Sequence, residues 1–265
     1  MQLRMIINNF ERHCAMRFVA AIVGILGLIA PAMAAPRLAT AMPETRPVAR
    51  AADEQADDAG YLFRLGLMEG HLVVARELIQ AGRPKLALPH FGHPVRELYD
   101  DIADDLKAKK VPPFDTKLIE LEALATGSPS NPALAAKYDE VMDAIQRARD
   151  AAPKSMRDSV PAMIRICADT VETAAGEYGQ AVEKGRIENL VEYHDSRGYL
   201  AYVSRELERL SAGADADGKT MIERFRLVLA KAQAIVAPLI PPEQPITPVS
   251  EYRAVAAEAK AISPP

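Results

Sequence analysis

From about residue 58 onward, apolar residues recur at intervals of three and four, the period that places them along one face of a helix. Leu62, Leu65, Met68, Leu72, Ala75 and Ile79 carry this pattern and predict a first helix from about Asp58 to Ala81. Gly82 stops it and Pro84 opens the next segment, following the tendency of helices to end on glycine and begin on proline. Pro89 and Pro94 interrupt that segment, because each lacks the N–H that an interior helical turn needs. Residues 84–93 therefore read as a short helical turn or irregular elbow, and a longer helix restarts at Pro94 and runs to about Lys109. Asp115 caps a short helix to Ala125, and Asn131–Pro132 begins another with Leu134, Tyr138, Val141, Ile145 and Ala148 on one face.

Ser159 and Pro161 open a long helix whose stripe is Val160, Met163, Cys167, Val171, Ala174, Tyr178 and Val182. Gly185 separates it from a helix over Ile187 to Leu210, with Leu200, Val203, Leu207 and Leu210 as its seam. A loop from Gly213 to Gly218 precedes a helix marked by Ile222, Phe225, Leu229, Ala232 and Val236. Pro238, Pro241, Pro242, Pro245 and Pro248 then predict an extended stretch, followed by a weak terminal helix around Tyr252 to Ile262. No stretch alternates as a strand does, and no Asn-Gly hairpin is present. The expected fold is all-α, an antiparallel bundle of about six to seven helices over residues 57–237, with a proline-rich tail over residues 238–265. Composition agrees: aromatics are only 5% of the chain and Trp is absent, so the core is expected to be built mostly from Ala, Leu, Ile, Val and Met.

The N-terminus changes the picture. Arg17 and Phe18 lead into the apolar run Val19 to Ala30, then Pro31-Ala32-Met33-Ala34, whose Ala32-x-Ala34 is the small-x-small pattern of a signal-peptidase site. Residues 1–34 read as a signal peptide and 35–56 as a flexible linker, which predicts a periplasmic or secreted protein. A permanent anchor is the competing reading, but the run is shorter than the ~20 residues that span a bilayer, so no stable membrane insertion is expected after cleavage. Met16 directly precedes Arg17 and offers a start that would drop residues 1–15. The first 34 residues carry a net charge of +2, so the mature part stands at −6 against −4 for the whole chain. A mildly acidic protein without a basic stripe is not expected to bind nucleic acid. Cys14 leaves with the signal peptide and Cys167 falls on a core position, so no intramolecular disulfide can form and a buried, inert thiol is expected.

Candidate chemistry gathers on the histidines. Four remain after His13: His71, His90, His93 and His194. His90 and His93 sit in the proline-broken elbow His90-Phe91-Gly92-His93-Pro94, with Glu97 one turn beyond. Imidazole nitrogen suits borderline transition metals and carboxylate offsets their charge. His71 lies on the preceding helix, flanked by Glu69 and Met68, and Gly66 and Gly70 offer no side chains, so another helix or a ligand approaches closely there. The candidate metal ligands are His71, His90, His93 and Glu97, with Met68 as a soft ligand for Cu(I). Against this stands a bland alternative, in which His71 is a satisfied core histidine and His93 a helix-start residue.

A second polar constellation, Glu192-Tyr193-His194-Asp195-Ser196-Arg197-Gly198-Tyr199, breaks the apolar pattern of its helix, and Asp169, Glu172, Glu177 and Tyr178 occur at similar spacing on the preceding one. Glu172, Glu177, Glu192, His194, Asp195 and Arg197 form a candidate pocket between the two helices, the kind of place where bundles build metal centres; a solvated face laced with ion pairs is the alternative. The two Glu-x-x-His pairs of a di-iron bundle are absent. Asp215-Ala216-Asp217-Gly218 resembles part of a calcium loop, but with Gly218 sixth, Gly213 stands first and Arg224 twelfth, where carboxylates are needed. Neither Ser159 nor Ser196 sits in a nucleophile elbow, so an enzyme is the least favoured class.

The stretches Leu67-Met68-Glu69-Gly70-His71-Leu72, Pro89-His90-Phe91-Gly92-His93-Pro94 and Glu97-Leu98-Tyr99, with Glu192-Tyr193 and Asp195-Ser196-Arg197-Gly198, resemble an all-helical family of secreted bacterial proteins. More loosely, an exported helical domain with His and Glu at its heart resembles the imelysin-like and iron-permease-associated periplasmic proteins. Their G-x-H-x-x-E motif is altered here, since Glu97 follows His93 by four residues rather than three. The expected function is transition-metal binding in the periplasm, iron or copper ahead of zinc, for storage, sensing or delivery to a membrane metal transporter. A metal-free scaffold that binds another envelope protein is the alternative.

Overall fold

The computed structural model describes residues 46–242 and 247–262, with side-chain surroundings from Asp58 onward. The expected signal peptide and residues 35–45 of the expected linker lie outside the described residues. Ten α-helices are present among the described residues: α1 (Arg46–Gln80), α2 (Pro84–His93), α3 (Ala103–Ala108), α4 (Asp115–Gly127), α5 (Pro132–Asp150), α6 (Lys154–Arg157), α7 (Val160–Ala181), α8 (Leu190–Gly213), α9 (Ala216–Ile235) and α10 (Val249–Ile262). Seven of them are 13 residues or longer, which is the all-α bundle the periodicity predicts. No described helix is long and apolar enough to cross a membrane.

The helix starts are built on caps the sequence displays. Asn131, Ser159, Asn189 and Asp215 each accept a backbone N–H one turn inside α5, α7, α8 and α9. Asp215 is thus a cap, and the calcium-like loop is a helix start. Asp115 differs from expectation: it is the first residue of α4, whose cap position is Phe114, and it acts through its charge in the first turn. At the end of α1, Gly82 takes a φ of +69° and Arg83 donates back to the Leu78 carbonyl, closing the helix in a left-handed cap.

Several elements depart from the sequence reading. Helix α1 begins at Arg46 rather than near Asp58, so residues 46–56 of the expected linker are helical. The weak terminal helix is a full member of the core: α10 buries Tyr252, Val255, Ala256 and Ala259 against α7 and α9. Between α7 and α8 a two-residue hairpin pairs Val182–Glu183 with Arg186–Ile187. Its turn residues Lys184 and Gly185 both have positive φ, the twist that suits a tight hairpin.

Pro94 does not restart a helix either. His93 and Pro94 both keep right-handed helical dihedrals, and the chain runs on from α2 through a π-helical turn at Pro94–Leu98 and a 3-10 turn at Asp100–Ile102 into α3. Pro94 cannot supply the N–H that the His90 carbonyl would accept in an α-helix, and a widened turn absorbs that defect.

Helices α7, α8, α9 and α10 pack in a ring, each against the next and α10 back on α7. Helix α1 lies along α8, and α2 covers both. The α1–α8 crossing is made by glycines: a Cβ on Gly198 would run into the Gly70 carbonyl oxygen, and one on Gly70 would meet Tyr199 at 2.7 Å. The close approach expected at Gly66 and Gly70 is therefore with α8, whose Tyr202 ring covers Gly66. Gly198→Ala is expected to destabilise by roughly 1–3 kcal/mol, as overpacking of a tight core does. Gly176→Ala, with open space around it, is expected to be neutral or to raise the melting temperature. Thermal denaturation of the two variants side by side measures the difference.

Candidate metal centre

The glycine crossing sets the distance between His71 on α1 and Asp195 on α8, three residues before Gly198. His71 Nδ1–H donates to Asp195 Oδ1 at 2.6 Å, and His90 Nδ1–H from α2 donates to the same oxygen at 2.7 Å. His93, one turn beyond His90, places its Nδ1 3.4 Å from Asp195 Oδ2 without completing a hydrogen bond. Four ligand atoms, one each from His71, His90, His93 and Asp195, lie within 4.8 Å of one another. His71, His90 and Asp195 are 2%, 0% and 2% exposed, so three of the four are sealed from solvent and His93 forms the open edge. The Tyr199 hydroxyl donates to His71 Nε2 at 2.9 Å, which is consistent with the His71 proton residing on Nδ1.

The electrostatics follow from that packing. Burial alone would raise the Asp195 carboxyl, but the three imidazoles around it reverse this and hold it well below the usual carboxylate range. Burial pushes His90 down, only partly offset by Asp195, so its ring is held neutral. His93 moves the other way: burial lowers it, but Asp195, Glu97 and Glu192 together raise it. Three imidazoles and one anionic carboxylate form a set that could hold a divalent transition metal.

Of the residues expected as ligands, the structure brings His71, His90 and His93 together. Glu97 does not converge with them: its side chain is 58% exposed and reaches His93 Nε2 at 3.8 Å, on the side of the ring away from Asp195. Met68 is fully buried among the core residues. Asp195, expected in a separate pocket, is the centre of the cluster.

The rest of that expected pocket is dispersed. Glu172, with Asp169, pairs with Lys260 of α10 at the surface. Arg197 donates to both Glu77 oxygens at 2.6 and 2.9 Å and to the carbonyls of Val236 and Ala237. His194 Nε2–H donates to the Leu239 carbonyl at 2.9 Å, and the Tyr193 hydroxyl to that of Pro238. These three side chains tie the extended stretch after α9 onto α8. Glu177 and Glu192 do face one another across α7 and α8, and burial together with Glu192 raises the Glu177 carboxyl well above the ordinary range. Cys167 is fully buried, and burial pushes its thiol up, out of reach of thiolate chemistry at neutral pH.

The chain is similar to the iron permease-associated 4-helix bundle domain, whose family model matches residues 153–263. That span holds the ring of α7 to α10 and contributes Asp195 and His194, whereas His71, His90 and His93 stand on helices that precede it. No curated protein and no solved structure matches the chain.

Proposed function

We propose that this chain is a periplasmic protein that binds a transition-metal ion at His71, His90, His93 and Asp195, for storage, sensing or delivery to a membrane metal transporter. The observation that carries this reading is the convergence of three histidines and an aspartate from three helices on one largely buried point. A buried carboxylate ringed by imidazoles is a cation site in waiting, because the ion replaces the ring protons that now satisfy it. The similarity to an iron permease-associated domain favours iron, with copper next and zinc third.

The mature protein is expected to bind about one divalent ion per chain, measured by elemental analysis after purification without chelator and by titration calorimetry. At a hundredfold excess over the dissociation constant the ion stabilises the fold by roughly 3 kcal/mol, since it binds the folded state alone. Affinity falls as pH drops through the imidazole range. Protons compete first at His93, whose ring takes one up more readily than a free histidine. His90→Ala and His93→Ala are each expected to remove most of the metal-induced stabilisation. A melting curve unmoved by iron, copper or zinc would discard the metal reading in favour of a partner-binding bundle.

A further inference from the structure

His194 is left out of the four-residue cluster, yet its ring lies beside His90, with centroids 5.6 Å apart and planes at 76°. Both rings are sealed, at 0% exposure for His90 and 1% for His194. The proton positions in both follow from their partners. His90 bonds a carboxylate through Nδ1, so Nδ1 carries the hydrogen and Nε2 a lone pair. A carbonyl can only accept, so His194 carries its hydrogen on Nε2 and a lone pair on Nδ1. Those two lone-pair nitrogens, His90 Nε2 and His194 Nδ1, are both buried and both without a hydrogen-bond partner.

Leaving a buried polar atom unsatisfied costs about 1–3 kcal/mol, and here each of two neighbouring rings carries one. The opposite nitrogen of each ring is anchored on a carboxylate in one case and on a backbone carbonyl in the other. These are the two acceptors that ordinarily orient a metal-ligating histidine and fix its tautomer. At metal–nitrogen lengths of about 2 Å, a centroid separation of 5.6 Å is short enough for one ion to bridge the two rings when their free nitrogens turn toward it.

We propose that His90 Nε2 and His194 Nδ1 form a second cation position beside the four-residue cluster, suited to a monovalent copper ion. Two neutral imidazoles bring no negative charge, and the carboxylate bonded to His90, Asp195, already accepts from both His71 and His90. A buried divalent ion there would lack charge compensation, whereas a monovalent ion that tolerates low coordination needs little. The inference rests on the metal-binding reading of the cluster only through His90, which offers Nε2 here and Nδ1 there; a neutral imidazole has one lone pair, so an ion at either position excludes an ion at the other.

The test uses Cu(I) as the probe, added under anaerobic conditions to the full mature chain with nitrogen-15 in its histidines. The His194 Nδ1 resonance is expected to shift strongly on Cu(I) addition while Nε2 keeps its proton. His194→Gln, whose amide can still donate to the Leu239 carbonyl, is expected to weaken Cu(I) binding at least about tenfold and to leave divalent binding at the cluster within twofold. Cu(I) bound with the His194 Nδ1 resonance unmoved, or divalent ions bound and Cu(I) refused, overturns this position and leaves the cluster reading standing. Failure of the wild-type chain to bind either kind of ion overturns both.

Discussion

Asp195→Ala is expected to abolish divalent-metal binding and to cost the metal-free protein roughly 3–5 kcal/mol, a fall in melting temperature of about 6–20 °C for a domain of this size. The large effect follows from the geometry: one carboxylate oxygen accepts from both His71 and His90, and both rings are sealed from water. Removing it strands two buried N–H donors at once. Asp195→Asn separates the two losses. An amide oxygen still accepts from both rings, so stability falls less, but without the negative charge affinity drops by at least about tenfold, the least that even an outer-shell partner is worth. The pH dependence distinguishes the variants further. The folded-state pKa of Asp195 is depressed, so its stabilisation is complete above the unfolded value of about 4 and is lost as pH falls through the folded one. Asp195→Asn lacks that acid limb. His90 and His194, with His194 pushed down to about 4, give a separate decline that starts higher. In the unfolded chain these rings take up protons near pH 6.5 and in the folded chain only later, so stability falls between those values in wild type and variant alike. Denaturation midpoints at several pH values resolve the two limbs.

Helices α5, α7, α8 and α9 were legible because each writes its buried face at three-four spacing and begins behind an Asn, Ser or Asp cap. What escaped the pattern was long-range. Asp195 reads as part of a local polar run on α8, and nothing in that run says that α1 crosses there. The residues that bring them together are Gly70, beside His71, and Gly198, three positions after Asp195. Each glycine is a visible hint of close approach, but pairing them requires knowing which helices touch. Pro94 misled for a local reason: a proline that ordinarily opens a helix is carried on from α2 by a widened turn at Pro94–Leu98, while His90 and His93 stand one turn apart on α2 itself. The pull of Glu97 came from its spacing to His93, and spacing along one helix says nothing about which side of the ring faces the interior. The terminal helix looked weak because α10 is short and alanine-rich. Its anchor is Tyr252, which is fully buried and whose hydroxyl meets Ser196 on α8.

Arg149→Ala is expected to be the most damaging substitution away from the cluster, with a loss of roughly 3–5 kcal/mol. Arg149 on α5 is 7% exposed and donates to Glu69 on α1 at 3.0 Å and to Glu206 on α8. Its guanidinium also lies over the Tyr202 ring, 5.4 Å from the centroid. Both carboxylates are themselves buried, at 5% and 2% exposure, so removing the arginine leaves two anions facing one another in the core. Arg205 and Arg209 remain as partners, but they approach from the surface, with side chains 52% and 37% exposed, and screen the pair only from its outer side. The same logic predicts that the loss belongs to the stranded charges rather than to the missing ion pair. Replacing Arg149, Glu69 and Glu206 together with methionine should recover most of the stability, because burying charges costs about as much as their attraction returns. Urea denaturation of the single and triple variants decides it. A triple variant as unstable as Arg149→Ala would show instead that the network itself holds α1, α5 and α8 together.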